Sequence, residues 1–327
     1  MANKIRWGIL STGRITTKFA EGLRVLPDAE LVAVGSRAQA TADAFGDKYG
    51  VPHRHASYKA LAQDPDVDVV YVATPHPFHK DNTMLCLEAG KAVLCEKPFT
   101  INADEARQVV ALAREKGLFL MEAMWTRYIP IVVRLRELLA EGAIGEVRML
   151  TADLGFRAEF DPKGRLFSPD LGGGALLDVG IYPISLASMI FGPPARIASL
   201  AHMGQTDVDE QAGVILGYDD GQLAILHTAI QTSTAVEATV MGTEGRIRIH
   251  SPWYYGTALT LSAEGREDEA VSLPYEGNGY NFEAAEVMRC LRAGKQESDV
   301  MPLDETLAIM QTMDEIRAQW DLRYPME

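Results

Sequence analysis

Through the first third of the chain, apolar residues fall in short continuous blocks separated by longer amphipathic stretches. Residues 5–10 (Ile-Arg-Trp-Gly-Ile-Leu), 31–34, 67–73, 92–95 and 118–121 have the length and continuity of buried strands. Between them, helical spacing puts Phe19, Leu23 and Leu26 on one face, and similar patterns cover 39–49, 80–89 and 103–116. Strand alternating with helix at this spacing predicts an α/β domain built on a doubly wound parallel sheet, over residues 1–122.

After Glu122 the alternation stops. A helix is predicted from residue 130 to about 141, followed by strand-like segments at 145–154, 196–202, 213–217, 223–230, 236–241 and 246–250. Asp219-Asp220-Gly221 and Thr243-Glu244-Gly245 are turn signals that join consecutive segments into hairpins. Helical patterns return at 281–291 and 304–320. Residues 123–327 therefore read as a second, α+β domain with an open, largely antiparallel sheet and helices on one side.

Composition narrows the partners. Lysine and arginine total 31 against 45 acidic residues, a net charge of −14, so nucleic acid and anionic membranes are not expected. Cys86, Cys95 and Cys290 are too few and too scattered for a disulfide framework or a zinc site, and no metal is expected. No uninterrupted apolar run approaches membrane-spanning length. Lys4 and Arg6 lead straight into a strand with no secretory pattern, so a cytoplasmic protein is expected.

Candidate chemistry gathers at the predicted strand ends, where an open parallel sheet binds ligands. Ser11-Thr12-Gly13-Arg14-Ile15 occupies the turn that offers backbone N–H groups to a dinucleotide pyrophosphate. It matches the G-x-G-x-x-G pattern only at Gly13, since Ser11 and Thr16 replace the outer glycines. A generic strand-to-helix turn explains it as well. About 20 residues on, where an acid would bind the ribose hydroxyls, stand Ser36 and Arg37. A guanidinium there suits a 2′-phosphate, which predicts NADP over NAD, the alternative being a solvated surface arginine. The next strand exits into Thr74-Pro75-His76-Pro77-Phe78-His79. No acid or thiol cluster completes a metal site around the two histidines, which are placed beside the cofactor or in structural capping. The strand at 92–95 ends in Glu96-Lys97-Pro98, either an ordinary exit with a salt bridge or a reactive lysine. Trp125 and Arg127 open the second domain, bordering a substrate pocket or, for Trp125, packing in the core. Gly172-Gly173-Gly174 then precedes an apolar helical run in which Asp178 and Tyr182 share a face. A carboxylate and a phenol on such a helix either form a buried hydrogen bond between helices or face a cofactor cleft.

Taken together these motifs resemble the glucose–fructose oxidoreductase / inositol dehydrogenase family, and most nearly its dihydrodiol dehydrogenase branch with the related D-xylose dehydrogenases. The likeness rests on Ser11 to Ile15, Glu96-Lys97-Pro98, and Gly172-Gly173-Gly174 leading to Asp178 and Tyr182, and it spans almost the whole chain. It implies a Rossmann domain, a second domain whose sheet forms a homodimer contact, and Glu96 on the cofactor ribose. It also implies a cis peptide before Pro98, and an NADP-dependent oxidoreductase acting on a sugar or trans-diol. Many family members carry histidine where this chain has Tyr182; tyrosine is the habit of that branch. In the implied chemistry Tyr182 is the general acid/base, Lys97 its electrostatic partner, and Asp178 orients the substrate or Lys97. A free phenol, with pKa about 10, is a poor base at neutral pH. An ammonium about 4 Å away at an effective dielectric of about 20 favours phenolate by up to roughly 4 kcal/mol. One pKa unit is about 1.4 kcal/mol, so the couple is workable near neutrality. Two other expectations remain open: a reductase of deoxy- or anhydro-sugars, and a non-catalytic dinucleotide-bound sensor.

Overall fold

The computed structural model describes residues 4–327. The chain divides into two compact units, Met1–Trp125 with Glu276–Leu307, and Thr126–Tyr275 with Ala308–Glu327.

In the first unit six strands form one sheet: β1 (Ile5–Leu10), β2 (Ala29–Gly35), β3 (His53–His55), β4 (Val69–Val72), β5 (Ala92–Glu96) and β6 (Leu120–Ala123). Their order is β3-β2-β1-β4-β5-β6, and every neighbouring pair is parallel. Helices α1 (Arg14–Leu23), α2 (Gln39–Tyr49), α3 (Tyr58–Ala62), α4 (His79–Glu88) and α5 (Ala103–Lys116) connect them. The central strands are largely apolar because helices cover both faces; all of β4 and β5 is buried, including the Glu96 that ends β5. Helix α5 shows the local logic. The Asn102 side chain accepts the Glu105 amide, Asp104 and Glu105 sit at the positive end, and Gly117 closes the helix at φ +63°. Strand order reverses between β1 and β4, which opens a crevice beyond their carboxyl ends.

The second unit carries α6 (Pro130–Ala140), α7 (Ile181–Phe191) and eight strands: β7 (Val147–Gly155), β8 (Arg196–Met203), β9 (Asp209–Gly217), β10 (Leu223–Ala229), β11 (Ala238–Gly242), β12 (Gly245–Ile249), β13 (Ala258–Ala263) and β14 (Glu269–Ser272). They run β14-β13-β12-β11-β7-β10-β9-β8, antiparallel except for the β7–β10 pair. Strict alternation along β10 and β9 buries one face and exposes the other.

Several details differ from the sequence expectation. Residues 276–307, expected in the second domain, belong to the first unit. Their helix α8 (Tyr280–Arg292) packs on α1, burying Ala284, Val287 and Met288. Gly22 on α1 permits this approach, since a Cβ there would lie 2.9 Å from Asn278 Oδ1 and 3.1 Å from the Asn281 nitrogen. An amphipathic helix declares that it has a buried face, not which surface covers it. Helix α9 (Leu303–Ala318) is divided between the units at 307/308. β3, β13 and β14 were not expected; β3 has no apolar residue to announce it. One helical stretch, Pro169–Phe191, is long and apolar enough to cross a membrane, against the expectation that no run approaches that length. Its apolar window is 78% buried inside the structure, as in the core helix of a soluble protein.

Candidate active site

Within the first unit the turn after β1 has the shape a dinucleotide needs. Ser11 stands where the usual pattern has glycine, yet it adopts φ +104°, the left-handed conformation glycine would supply. Its amide donates to the Gly35 carbonyl at 2.9 Å, which over-determines the strained backbone. Ser11→Gly is therefore expected to raise unfolding free energy by about 1 kcal/mol with cofactor affinity unchanged, measured by urea melts. The α1 N-terminus at Gly13 has no side-chain cap and no acid in its first turn. A Cβ on Gly13 would meet Ser11 Oγ at no closer than 3.7 Å, so there is room above the turn. Those features fit a pyrophosphate. Arg14 is exposed and Ile15 part-buried beside it. Thr12 Oγ1 lies 3.5 Å from Ser36 Oγ, which bonds Thr41 Oγ1 at 2.6 Å and so ties the first turn to the β2 exit. Arg37, next along, is exposed.

At the β4 exit, Thr74 and His76 are buried while Pro75 is exposed. His79 Nε2 sits 2.7 Å from the Thr74 carbonyl and Nδ1 2.8 Å from the Pro98 carbonyl. Both ring nitrogens are thus taken by backbone acceptors that join the β4 and β5 exit loops. His79 thus ties together the two loops from which the neighbouring strand-end residues project.

β5 ends in the Glu96 carboxylate, which accepts from the Tyr71 hydroxyl and, at 3.1 Å, from the Lys97 amide. The Lys97–Pro98 peptide is cis. Lys97 is part-exposed, and the chain just beyond it is clamped by buried Glu122, whose Oε1 accepts the Phe99 amide at 3.2 Å. Glu122 Oε2 accepts from Thr306 Oγ1 at 3.1 Å. Two further groups here escaped the sequence analysis. Burial, then the Glu96 charge, pushes the Tyr71 phenol well above its ordinary value, so it remains a donor. Burial, then the Glu96 charge, likewise pushes the Glu283 carboxyl on α8 well above its ordinary value. No sequence signal links position 283 to β5; only the return of α8 to this unit does. Trp125 is 5% exposed and stacks on Tyr280 at 4.7 Å.

Within the second unit, residues Leu176–Gly180 form a π-helical turn that runs into α7, where a regular helix was expected. Such turns recur at functional sites. Gly174 adopts φ +113°, and a Cβ there would lie 2.1 Å from Asp209 Oδ1, so only glycine fits. Asp209 Oδ2 accepts the Leu176 amide at 2.6 Å and starts the turn. The π turn then carries Asp178, whose Oδ1 accepts from Arg165 Nη1 at 2.6 Å. Arg165 was not anticipated: it lies in an irregular loop, and nothing in the linear pattern points it at residue 178. Tyr182, 6% exposed, packs its ring 5.3 Å from that of Tyr254. Arg127 is 2% exposed and donates to Ser185 Oγ at 3.0 Å and to the Ser185 carbonyl at 2.9 Å. These bonds brace α7 one turn beyond Tyr182.

Burial raises the Asp209 carboxyl to about 7, against the lowering effects of the Leu176 amide and of Arg317. A folded pKa above the unfolded one means the native state binds the proton more tightly. The associated stability is full below about pH 4 and is lost as pH rises through about 7. Between pH 5 and 7 the wild type should lose about 1.4 kcal/mol per pH unit relative to Asp209→Asn in urea unfolding. Burial pushes the Cys86 thiol to about 12 and Cys95 higher still, so neither is a thiolate nucleophile.

Residues 5–124 match the oxidoreductase family with an NAD-binding Rossmann fold, and residues 132–248 match the GFO/IDH/MocA C-terminal domain. The chain belongs to this Gfo/Idh/MocA family of oxidoreductases. Among its relatives, the trans-1,2-dihydrobenzene-1,2-diol dehydrogenases of Mus musculus and Homo sapiens are each 39% identical over 99% of both chains. A 3-ketoreductase from Actinomadura kijaniata, in complex with NADP and TDP-benzene, superposes with TM-score 0.85 at 26% identity, covering 97% of this chain and 98% of that one. An aldose–aldose oxidoreductase from Caulobacter crescentus, complexed with glycerol, gives TM-score 0.89 at 26% identity over 98% and 99%.

Proposed function

We propose that the protein is an NADP-dependent dehydrogenase that moves a hydride between the nicotinamide and a CH–OH carbon of a trans-diol or sugar. Tyr182 is its general acid/base, Lys97 the charge that favours phenolate, and Asp178, held by Arg165, the group that orients substrate. The observation that carries this reading is Lys97 itself. It stands at the carboxyl end of β5, in a sheet whose ligands bind at the carboxyl ends of the strands, and Glu122 fixes the chain beyond it. The relatives' diol and ketone chemistry supports the reaction class. The 3-ketoreductase has also been crystallised, with NADP and TDP-benzene, after substitution of a lysine and after substitution of a tyrosine.

NADP is held in this reading by Ser11 to Ile15 at the pyrophosphate, Ser36 and Arg37 at the 2′-phosphate, and Thr74, Pro75, His76 and Glu96 along the strand ends. When bound, it supplies the hydride acceptor; the protein's task is the proton. As the alcohol is oxidised, its hydroxyl proton passes to the Tyr182 oxygen while hydride leaves carbon, and both move back in the reduction. Arg37→Ala should cut the NADP-over-NAD preference in kcat/KM at least about tenfold, as loss of a charge-assisted phosphate contact does. Turnover of a panel of trans-diols, pentoses and hexoses, followed by NADPH absorbance, tests the whole reading. Tight NADPH binding with no turnover of any would favour a dinucleotide sensor instead.

The outer face of β8, β9 and β10 exposes Leu200, Ile215, Leu223 and Ile225, with Ile215 opposite Ile225 across the β9–β10 pair. An apolar patch on a sheet face suits a second copy, and we place a homodimer contact there. The protein is placed in the cytoplasm, with no nucleic-acid or membrane partner, in keeping with its acidic charge and three buried free cysteines.

A further inference from the structure

We propose that His53, His55 and Asp64 form a binding site for a divalent transition metal of the zinc class at the edge of the nucleotide-binding sheet. Side chains two apart on a strand point to the same face, so β3 presents both imidazoles together and sends Arg54 the other way. Arg54 is used there, on Asp47 Oδ1 at 2.6 Å and the Val51 carbonyl at 3.0 Å. The two imidazoles converge on one atom. Asp64 Oδ2 lies 2.7 Å from His53 Nδ1 and 2.8 Å from His55 Nε2.

That carboxylate is built in rather than draped on the surface. Asp64 is 5% exposed, and its second oxygen accepts the Asp66 amide at 2.9 Å. Lys91 Nζ holds the Asp64 carbonyl at 2.6 Å and the Val67 carbonyl at 2.8 Å, which locks the loop behind it. The histidine side chains are 37% and 25% exposed, so the cluster has a buried acidic floor and a side open to solvent. Asp66 lies 3.9 Å from His53 Nε2 and is itself paired with Arg6 at 3.0 Å. It stands where an outer carboxylate orients a ligating imidazole.

The chemistry of the set selects the ion. Two imidazoles and one carboxylate suit Zn²⁺, Co²⁺, Ni²⁺ or Cu²⁺ over Mg²⁺ or Ca²⁺, which prefer oxygen shells. All three donor atoms lie within 4.8 Å of one another. Zinc bonds of about 2.0–2.2 Å need them only a little further apart than the present hydrogen bonds. Sub-ångström rotation of two part-exposed rings provides that. Three protein ligands leave a fourth position for water on the open side. Metal-free, each ring donates an N–H to the same oxygen; metal-bound, the same nitrogen offers its lone pair and the ring proton sits on the other nitrogen. The His55 carbonyl accepts the Ser36 amide at 3.0 Å, so a metal here would fasten β3 to the β2 exit and act as a structural clip.

The test uses the full chain stripped with chelator and titrated with Co²⁺, whose visible d–d bands report ordered coordination, then with Zn²⁺ as competitor. The expected result is one equivalent of Co²⁺ with d–d bands, displaced by Zn²⁺, and a Zn²⁺-dependent rise in melting temperature. In the His53→Gln/His55→Gln variant, which keeps an amide donor toward Asp64, Co²⁺ affinity should fall more than about tenfold. The surface control His227→Gln should titrate as wild type. Asp64→Asn is the second variant, used where circular dichroism shows the native fold. Wild-type protein without Co²⁺ bands, or equal bands in the double variant, would overturn the site and leave a hydrogen-bonded cluster only.

Discussion

Tyr182→Phe should lower kcat for diol oxidation by about 10³-fold while NADPH still binds with wild-type affinity. The substitution keeps the ring, and with it the packing on Tyr254, and removes the oxygen proposed to take the substrate proton. General acid/base groups contribute about 10²–10⁴-fold, which sets the size. The loss should appear in kcat and kcat/KM alike, since the interaction is made in the transition state rather than in the bound substrate. Fluorescence titration with NADPH separates a damaged site from a missing proton acceptor. Turnover close to wild type would remove Tyr182 from the mechanism.

The second large effect is expected at Lys97. Its ammonium is asked to favour phenolate, and an interaction of up to roughly 4 kcal/mol near a protein surface corresponds to at most about 10³-fold in rate. Lys97→Ala should therefore lose about 10²–10³-fold in kcat. Because the side chain is part-exposed and the backbone beyond it is held by Glu122, the loss should be chemical rather than structural. Added ethylammonium should restore part of the rate, saturably, in Lys97→Ala but not in Tyr182→Phe. No rescue together with a lowered melting temperature would assign Lys97 to stability.

The parallel half of the fold is legible because strands buried on both faces must be apolar, and β1, β4 and β5 stand out as blocks. β3 is hidden for the same reason in reverse. His-Arg-His has no apolar residue, and its two imidazoles are satisfied by a carboxylate instead of a core. The candidate site divides along similar lines. Lys97, Asp178 and Tyr182 can be found from the chain because a charge at a strand exit, or a polar pair on an apolar helix, breaks the local pattern. Arg165, Glu283 and Asp209 cannot, since each meets its neighbours through tertiary folding: a loop arginine on Asp178, a helix returned from the far end of the chain, a carboxylate under Gly174. The contacts of Arg127 and Trp125 are likewise not written in the chain. An arginine and a tryptophan at a domain start look like ligand groups, and only tertiary folding brings Ser185 and Tyr280 against them.

Ser11 shows that a motif can be met in geometry while missed in letters. The glycine pattern exists to allow positive φ and close approach, and a serine at φ +104° provides the first of these at the cost of strain.

The most direct measurement is the pH dependence of kcat/KM for trans-diol oxidation, taken in wild type and in Lys97→Met. In wild type the rate should rise with an apparent pKa well below the free phenol's value of about 10, and loss of the ammonium should move that limb upward by about one unit or more. A limb at the same pH in both proteins would contradict the pairing of Lys97 with the Tyr182 phenol.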